Sequence, residues 1–165
     1  MVLNLADIFR YFLQSNKVFV PLSGEMQIVL AYLEIEQGRL GDRLKVDVRV
    51  EEDALALPIP ALSIQPLVEN AIKHGVAQQS GSGFVSIRAQ CQGDSLRVTV
   101  ENSGLPGGSE RPGAGVALQN VRRRLEICYG HAAALDLTLE GERASAELRI
   151  PVKETVGQAV RAPAV

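Results

Sequence analysis

No run of apolar residues in this chain approaches the roughly 20 needed to cross a bilayer, and no signal peptide opens it. Cysteine is scarce. Cys91 and Cys128 lie far apart and match no metal-ligand spacing, so they read as small buried apolar groups in a reducing compartment, with no disulfide expected. Excess charge is also missing: the formal net charge is -2, which excludes a general electrostatic attraction to nucleic acid. Arg122, Arg123 and Arg124 form one basic cluster, but no aromatics are interleaved with it, and it reads as a solvated helix face. Histidine occurs only as His74 and His131. What is present suffices for one ordinary domain with an added helix at one end: 165 residues, 46% of them hydrophobic and 22% charged. The chain opens inside what reads as an amphipathic helix, which leads us to expect a piece of something longer.

Hydrophobic spacing outlines the elements. From about Leu3 to Gln14, Leu5, Ile8, Phe9, Phe12 and Leu13 share a helical stripe. After the extended piece Val18 to Pro21, Ser23 is the expected N-cap of a second helix. Glu25 falls in its first turn, Ile28, Val29, Tyr32, Leu33 and Ile35 face its core side, and Gly38 or Gly41 ends it. Leu44, Val46, Val48 and Val50 then alternate with polar residues as in a strand with one wet face. Prolines at 58 and 60 introduce a third helix, expected from about Ala61 to His74. Phe84 to Ala89 and Leu96 to Val100 form a hairpin about Gln92-Gly93-Asp94. The glycine-rich stretch 103–115 reads as a mobile loop before a fourth helix, about Val116 to Tyr129, anchored by Leu118, Val121, Leu125 and Cys128. Two last strands, Leu135 to Leu139 and Ala144 to Ile150, precede a patternless tail. The sum is a mixed α/β (α+β) two-layer sandwich, its sheet mostly antiparallel, with helices on one face.

Three segments carry polar groups suited to one chemistry. On the third helix, Asn70, Lys73 and His74 stand at i, i+3 and i+4, apart from the apolar face of Ile64, Leu67, Val68, Ala71 and Ile72. An amide oxygen suits Mg²⁺, and an ammonium beside an imidazole suits phosphate. The same residues equally describe an ordinary surface helix with Glu69 paired to Lys73. At the end of a strand, Asn102 precedes Ser103 and Gly104, where an amide can read a purine edge or simply begin a turn. Gly113 and Gly115 lead into a helix N-terminus, a place that favours phosphate, or else form a plain linker.

Taken in order, the three segments resemble a known family. Gln65 to Gly75 closely resembles the N box of LytS-like sensor histidine kinases, members of the GHKL ATPase superfamily. Asn102-Ser103-Gly104 resembles their first glycine box, and Gly113 to Asn120 followed by Arg123, Arg124, Leu125, Tyr129 and Gly130 resembles the second. Arg10-Tyr11, Glu25, Tyr32-Leu33-Glu34-Ile35-Glu36 and Arg39 resemble the segment joining the two kinase domains, so the likeness spans about residues 5 to 152.

The resemblance implies a Bergerat-type sandwich that binds Mg²⁺-ATP beneath the 103–115 loop. Asn70 would be the metal ligand, Lys73 and His74 would contact the phosphates, and Asn102 would face adenine. Gly104, Gly113, Gly115 and Leu118 would line the nucleotide. The implied reaction moves the γ-phosphoryl group to a histidine and onward to a response regulator. Residues 1–40 would link to the missing phosphoacceptor domain, 41–153 form the ATP-binding domain, and 154–165 a disordered tail. The whole protein is expected to be a homodimer anchored in the inner membrane, this part cytoplasmic. Two positions depart from the pattern: the usual Asp is Asn102 and the usual third glycine is Ala117. Pro66 stands where related hydrolases carry a water-activating carboxylate, which suits phosphotransfer. Neither histidine has the Pro-His-Phe context of a phosphoacceptor. The alternative function is a catalytically weak nucleotide-sensing or dimer-interaction domain.

Overall fold

The computed structural model describes residues 18–104 and 114–152, the side chain of Ala114 excepted. The helix expected at 3–14, Gly113 and the tail lie outside these residues, and the 103–115 loop is described only at its two ends. A short strand β1 (Phe19–Pro21) runs into helix α1 (Leu22–Leu40). Strand β2 (Leu44–Val50) follows, then β3 (Pro58–Pro60) and the six-residue helix α2 (Gln65–Asn70). The hairpin β4 (Gly83–Gln92) and β5 (Ser95–Ser103) precedes α3 (Ala114–Tyr129) and a second hairpin, β6 (Ala134–Glu140) and β7 (Arg143–Pro151).

The main sheet has the order β2-β4-β5-β7-β6. Among the described strands only β2 and β4 run parallel, from Leu44 opposite Gly83 to Val50 opposite Ala89, because the chain crosses over through β3 and α2 between them. β1 and β3 pair as a separate two-stranded ribbon. One sheet face is apolar: Val85, Ile87, Leu96, Val98, Val100, Leu148 and Ile150 are buried and share a core with α1, α2 and α3. The opposite face carries an ion-pair lattice, including Arg97–Glu147, Arg149–Asp136 and Arg143–Glu101. This is the two-layer α/β arrangement that the alternation predicted.

Four local expectations need correction. Ser23 does not cap α1; the N-cap is Pro21, two residues earlier, and the N–H groups of Leu22 and Ser23 donate instead to the carbonyls of Leu57 and Leu55, both at 2.9 Å. A neighbouring backbone turn has replaced the side chain. The third helix begins at Gln65, since Pro58 and Pro60 sit in β3 and hold that segment extended. Ile35 is 51% exposed because α1 buries Leu22, Met26, Ile28, Val29, Tyr32 and Leu33. Cys91 is exposed and Cys128 half-buried, so neither is a core residue; both are free thiols. α1 ends as expected at Gly41, whose N–H donates to the Gln37 carbonyl.

Candidate functional site

α2 is short and ends in an irregularity: Ala71–Gly75 forms a single π turn rather than continuing the α-helix. Such turns widen the winding locally and redirect the side chains that follow, and they concentrate at functional sites. Asn70 is the last α-helical residue; Lys73 and His74 sit on the wider turn. The even i, i+3, i+4 face predicted for these three residues is therefore interrupted between its first and second members. The π turn packs against β5, which delivers Asn102 to the same end of the sheet.

Asn70 Oδ1 is buried and has no hydrogen-bond partner. An unsatisfied buried acceptor costs about 1–3 kcal/mol, so something outside the described chain is the natural partner. Lys73 is largely exposed and lies 3.7 Å from Glu69 Oε2, the pair that the ordinary surface-helix reading anticipated. An exposed pair of this kind holds its lysine weakly. Glu69 also accepts from Gln65 Nε2 at 3.0 Å. His74 is half-buried.

Asn102 is 6% exposed, and its amide nitrogen donates to the carbonyls of Ser103 and Gly104 at 3.0 and 3.1 Å. Both donor hydrogens are thus engaged within the loop, which leaves Oδ1 as the atom that can receive a hydrogen bond. Two glycines make this packing possible. A Cβ on Gly75 would stand 2.1 Å from Asn102 Nδ2, and one on Gly104, whose φ is +86°, would stand 2.9 Å from the Gly75 carbonyl oxygen. Ser103 Oγ donates to Gln79 Oε1 at 3.0 Å and accepts from the Phe84 N–H at 2.9 Å, pinning the strand end. α3 packs on α2 and opens with Gly115 facing open space, while Leu118, one turn later, is buried.

The structure therefore brings Asn102 and Gly104 against the turn that carries Lys73 and His74, with Asn70 at its start. Sequence reasoning missed four participants. Gly75 and Ser103 lay within the quoted motifs without a role, and Gln79 had no signal. Glu25 was read as a first-turn acid and as part of the segment joining the two kinase domains. It is fully buried and reaches away from its own helix: Oε1 accepts from the N–H groups of Ile64 and Gln65 at 2.5 and 3.2 Å. Burial pushes its carboxyl up to about 7, opposed by the amides of Ile64, Gln65 and Ser63 and by the Arg124 guanidinium. The basic cluster also resolves: Arg124 Nη1 donates to the Leu62 carbonyl at 2.6 Å and Arg122 Nε to that of Leu135 at 3.4 Å, so two of the three arginines are structural.

Among the described residues no group of three or more His, Cys, Asp or Glu could enclose a metal ion. The donor set is instead one amide oxygen beside an ammonium and an imidazole. It fits Mg²⁺, which keeps waters and phosphate oxygens as most of its ligands.

Comparison with solved structures defines the class: this is the fold of a histidine kinase catalytic domain. A histidine kinase domain from a blue-light-activated kinase of Erythrobacter litoralis matches with a TM-score of 0.65 at 22% identity, covering 92% of this chain and 73% of that one. The histidine kinase ThkA in complex with the response regulator protein TrrA matches with a TM-score of 0.57 at 16% identity, covering 90% of this chain and 47% of ThkA. In sequence, a family model described as histidine kinase matches residues 1–44. The sensor histidine kinase BtsS of Escherichia coli is 32% identical over 93% of the chain, and the sensor protein LytS of Staphylococcus haemolyticus 34% identical over 82%. In sequence the chain is similar to sensor histidine kinases, LytS proteins among them, over most of its own length. It spans about a quarter of those curated relatives, 28% of BtsS and 25% of LytS.

Proposed function

We propose that this chain is the catalytic part of a two-component sensor kinase: it binds Mg²⁺-ATP where α2, β5 and the start of α3 meet, and transfers the γ-phosphoryl group to a histidine on a separate phosphoacceptor domain. The observation that carries the reading is Asn70 Oδ1, a buried acceptor left without a partner at the edge of this junction. Asn70 would hold the magnesium ion. Lys73 turns from its weak pair with Glu69 toward the phosphates, and His74 adds a donor beside it. Asn102 Oδ1 accepts from the exocyclic amine of adenine. Gly104, Gly113, Gly115 and Leu118 line the nucleotide. Bound there, Mg²⁺ would supply positive charge to neutralise what builds on the phosphates during transfer.

The chemistry is a displacement at the γ-phosphorus: an imidazole nitrogen forms the new N–P bond, the bond to the bridging oxygen breaks, and ADP leaves with the electron pair. The chain contributes position and charge. Pro66 offers no carboxylate to a competing water, and Glu69 accepts from Gln65 on its own helix. That favours transfer over hydrolysis. By analogy with the complex of ThkA and the response regulator protein TrrA, the phosphoryl group then passes to a response regulator. Residues 1–40 would connect to the phosphoacceptor domain, within a membrane-anchored homodimer of which this part is cytoplasmic. No helix among the described residues is long and apolar enough to cross a membrane.

A thermal melt with a non-hydrolysable ATP analogue tests the reading. We expect stabilisation that depends on Mg²⁺, and in Asn70→Ala a loss of Mg²⁺-dependent affinity of at least roughly tenfold. Stabilisation equal with and without the metal would overturn the assignment of Asn70. Binding without transfer to any supplied histidine domain would favour a nucleotide-sensing role.

A further inference from the structure

We propose that Glu25 is a positioning residue of the nucleotide site, which sets the placement of Asn70 by tying helix α1 to the N-terminal end of α2. The inference rests on the reading of Asn70 as the magnesium ligand. Its first support is the direction of the Glu25 side chain. A first-turn acid ordinarily serves the N-terminus of its own helix. Here the N–H groups of Leu22 and Ser23 are already satisfied by Leu57 and Leu55, and Glu25 instead receives the N–H groups of residues 39 and 40 positions away. Those residues, Ile64 and Gln65, are the N-cap and first residue of α2, which has no side-chain cap of its own. Glu25 is the cap, supplied from another helix.

The second support is the junction around it. Leu62 is the one non-glycine residue with positive φ among those described, at 59°, a conformation that needs outside support. Arg124 of α3 supplies it by donating to the Leu62 carbonyl, and Ser63 Oγ donates to the Pro60 carbonyl at 2.7 Å. Segment 60–65 is therefore held from α1 by a carboxylate and from α3 by a guanidinium. α2 continues from this segment for six residues and ends at Asn70. So short a helix moves as one body, and any shift of its first turn reaches the amide at its last.

The third support is chemical. A buried carboxylate is a poor choice for stability alone, because burial disfavours its charge. Its value here is a strong, directional acceptor for two adjacent N–H groups. Through it, a displacement of α1 relative to the sheet is transmitted to the metal ligand.

Four proteins decide the matter: the wild-type chain, Glu25→Asp, Glu25→Gln and Asn70→Ala. Each is titrated with a fluorescent ATP analogue in Mg²⁺ and again in EDTA, with a melt to confirm folding. Glu25→Asp keeps the carboxyl group but withdraws it by one methylene. We expect it to fold and to lose about tenfold of the Mg²⁺-dependent affinity, a loss on the scale seen when groups behind a metal ligand are altered. Its affinity in EDTA should stay unchanged. Glu25→Gln keeps the acceptor in place and should restore most of the increment. A loss in Asn70→Ala with wild-type behaviour in Glu25→Asp overturns the role of Glu25 alone. A loss of equal size in Mg²⁺ and EDTA also overturns it, as a merely structural defect. Wild-type behaviour in Asn70→Ala would bring down the site reading, and this inference with it.

Discussion

At the scale of single residues, identity and environment separate. Asn70, Lys73, His74 and Asn102 were legible as candidates because amides, an ammonium and an imidazole name their own chemistry. Nothing in the residue types told that Asn70 Oδ1 would be orphaned, or that both amide hydrogens of Asn102 would be engaged. Gly75 shows the same gap. An added Cβ would collide with the Asn102 amide, so Gly75→Ala should displace that side chain, destabilise the fold by about 1–3 kcal/mol and weaken nucleotide binding. Denaturant unfolding and a ligand titration check both effects. Glu25 yields a pH prediction. Its carboxyl is raised to about 7 from an ordinary 4.5, so the folded chain binds the proton more tightly than the unfolded one. Its contribution is fully present below about pH 4.5 and is lost as pH rises through about 7. Facing it are the amides of Ser63, Ile64 and Gln65 and the Arg124 guanidinium. Glu25→Gln should remove this slope, which is worth on the order of 3 kcal/mol at most, and urea midpoints at pH 5 and pH 8 should then differ less than in the wild type.

At the scale of elements, periodicity located nearly every helix and strand but misjudged their ends. The hairpins fell where alternating runs flank glycine turns, since both signals are local. The start of α2 did not, because Pro58 and Pro60 join β1 in a ribbon whose partner lies about 40 residues back in the chain. The apolar face of α1 was read one residue too far. Leu33→Ala should therefore cost about 2–5 kcal/mol in denaturant unfolding, as for a filled core site. Ile35→Ala should stay within about 0.5 kcal/mol. Equal costs at the two positions would contradict the packing of α1. The π turn at Ala71–Gly75 had no local signature, and it forms where the helix meets β5.

At the scale of the whole molecule, the chain holds the framework of the proposed nucleotide site, and neither of its two histidines, His74 and His131, has the Pro-His-Phe context of a phosphoacceptor. Incubated alone with labelled ATP and Mg²⁺, it should acquire no acid-labile phosphate; label should appear on an added phosphoacceptor domain. Labelling of the chain itself would require one of these two histidines to serve as acceptor. The layer architecture was legible in sequence alone, because each element follows from spacing within a dozen or so residues, and the family likeness lay in the motifs that the three ordered polar segments resemble. Only the tertiary structure decided which acid caps which helix, which arginine supports Leu62 and which glycine must lack a side chain. Glu25 meets Ile64, and Arg124 meets Leu62, across 39 and 62 residues. Local periodicity carries no information about a partner that far along the chain; packing of the helices on the sheet chooses it.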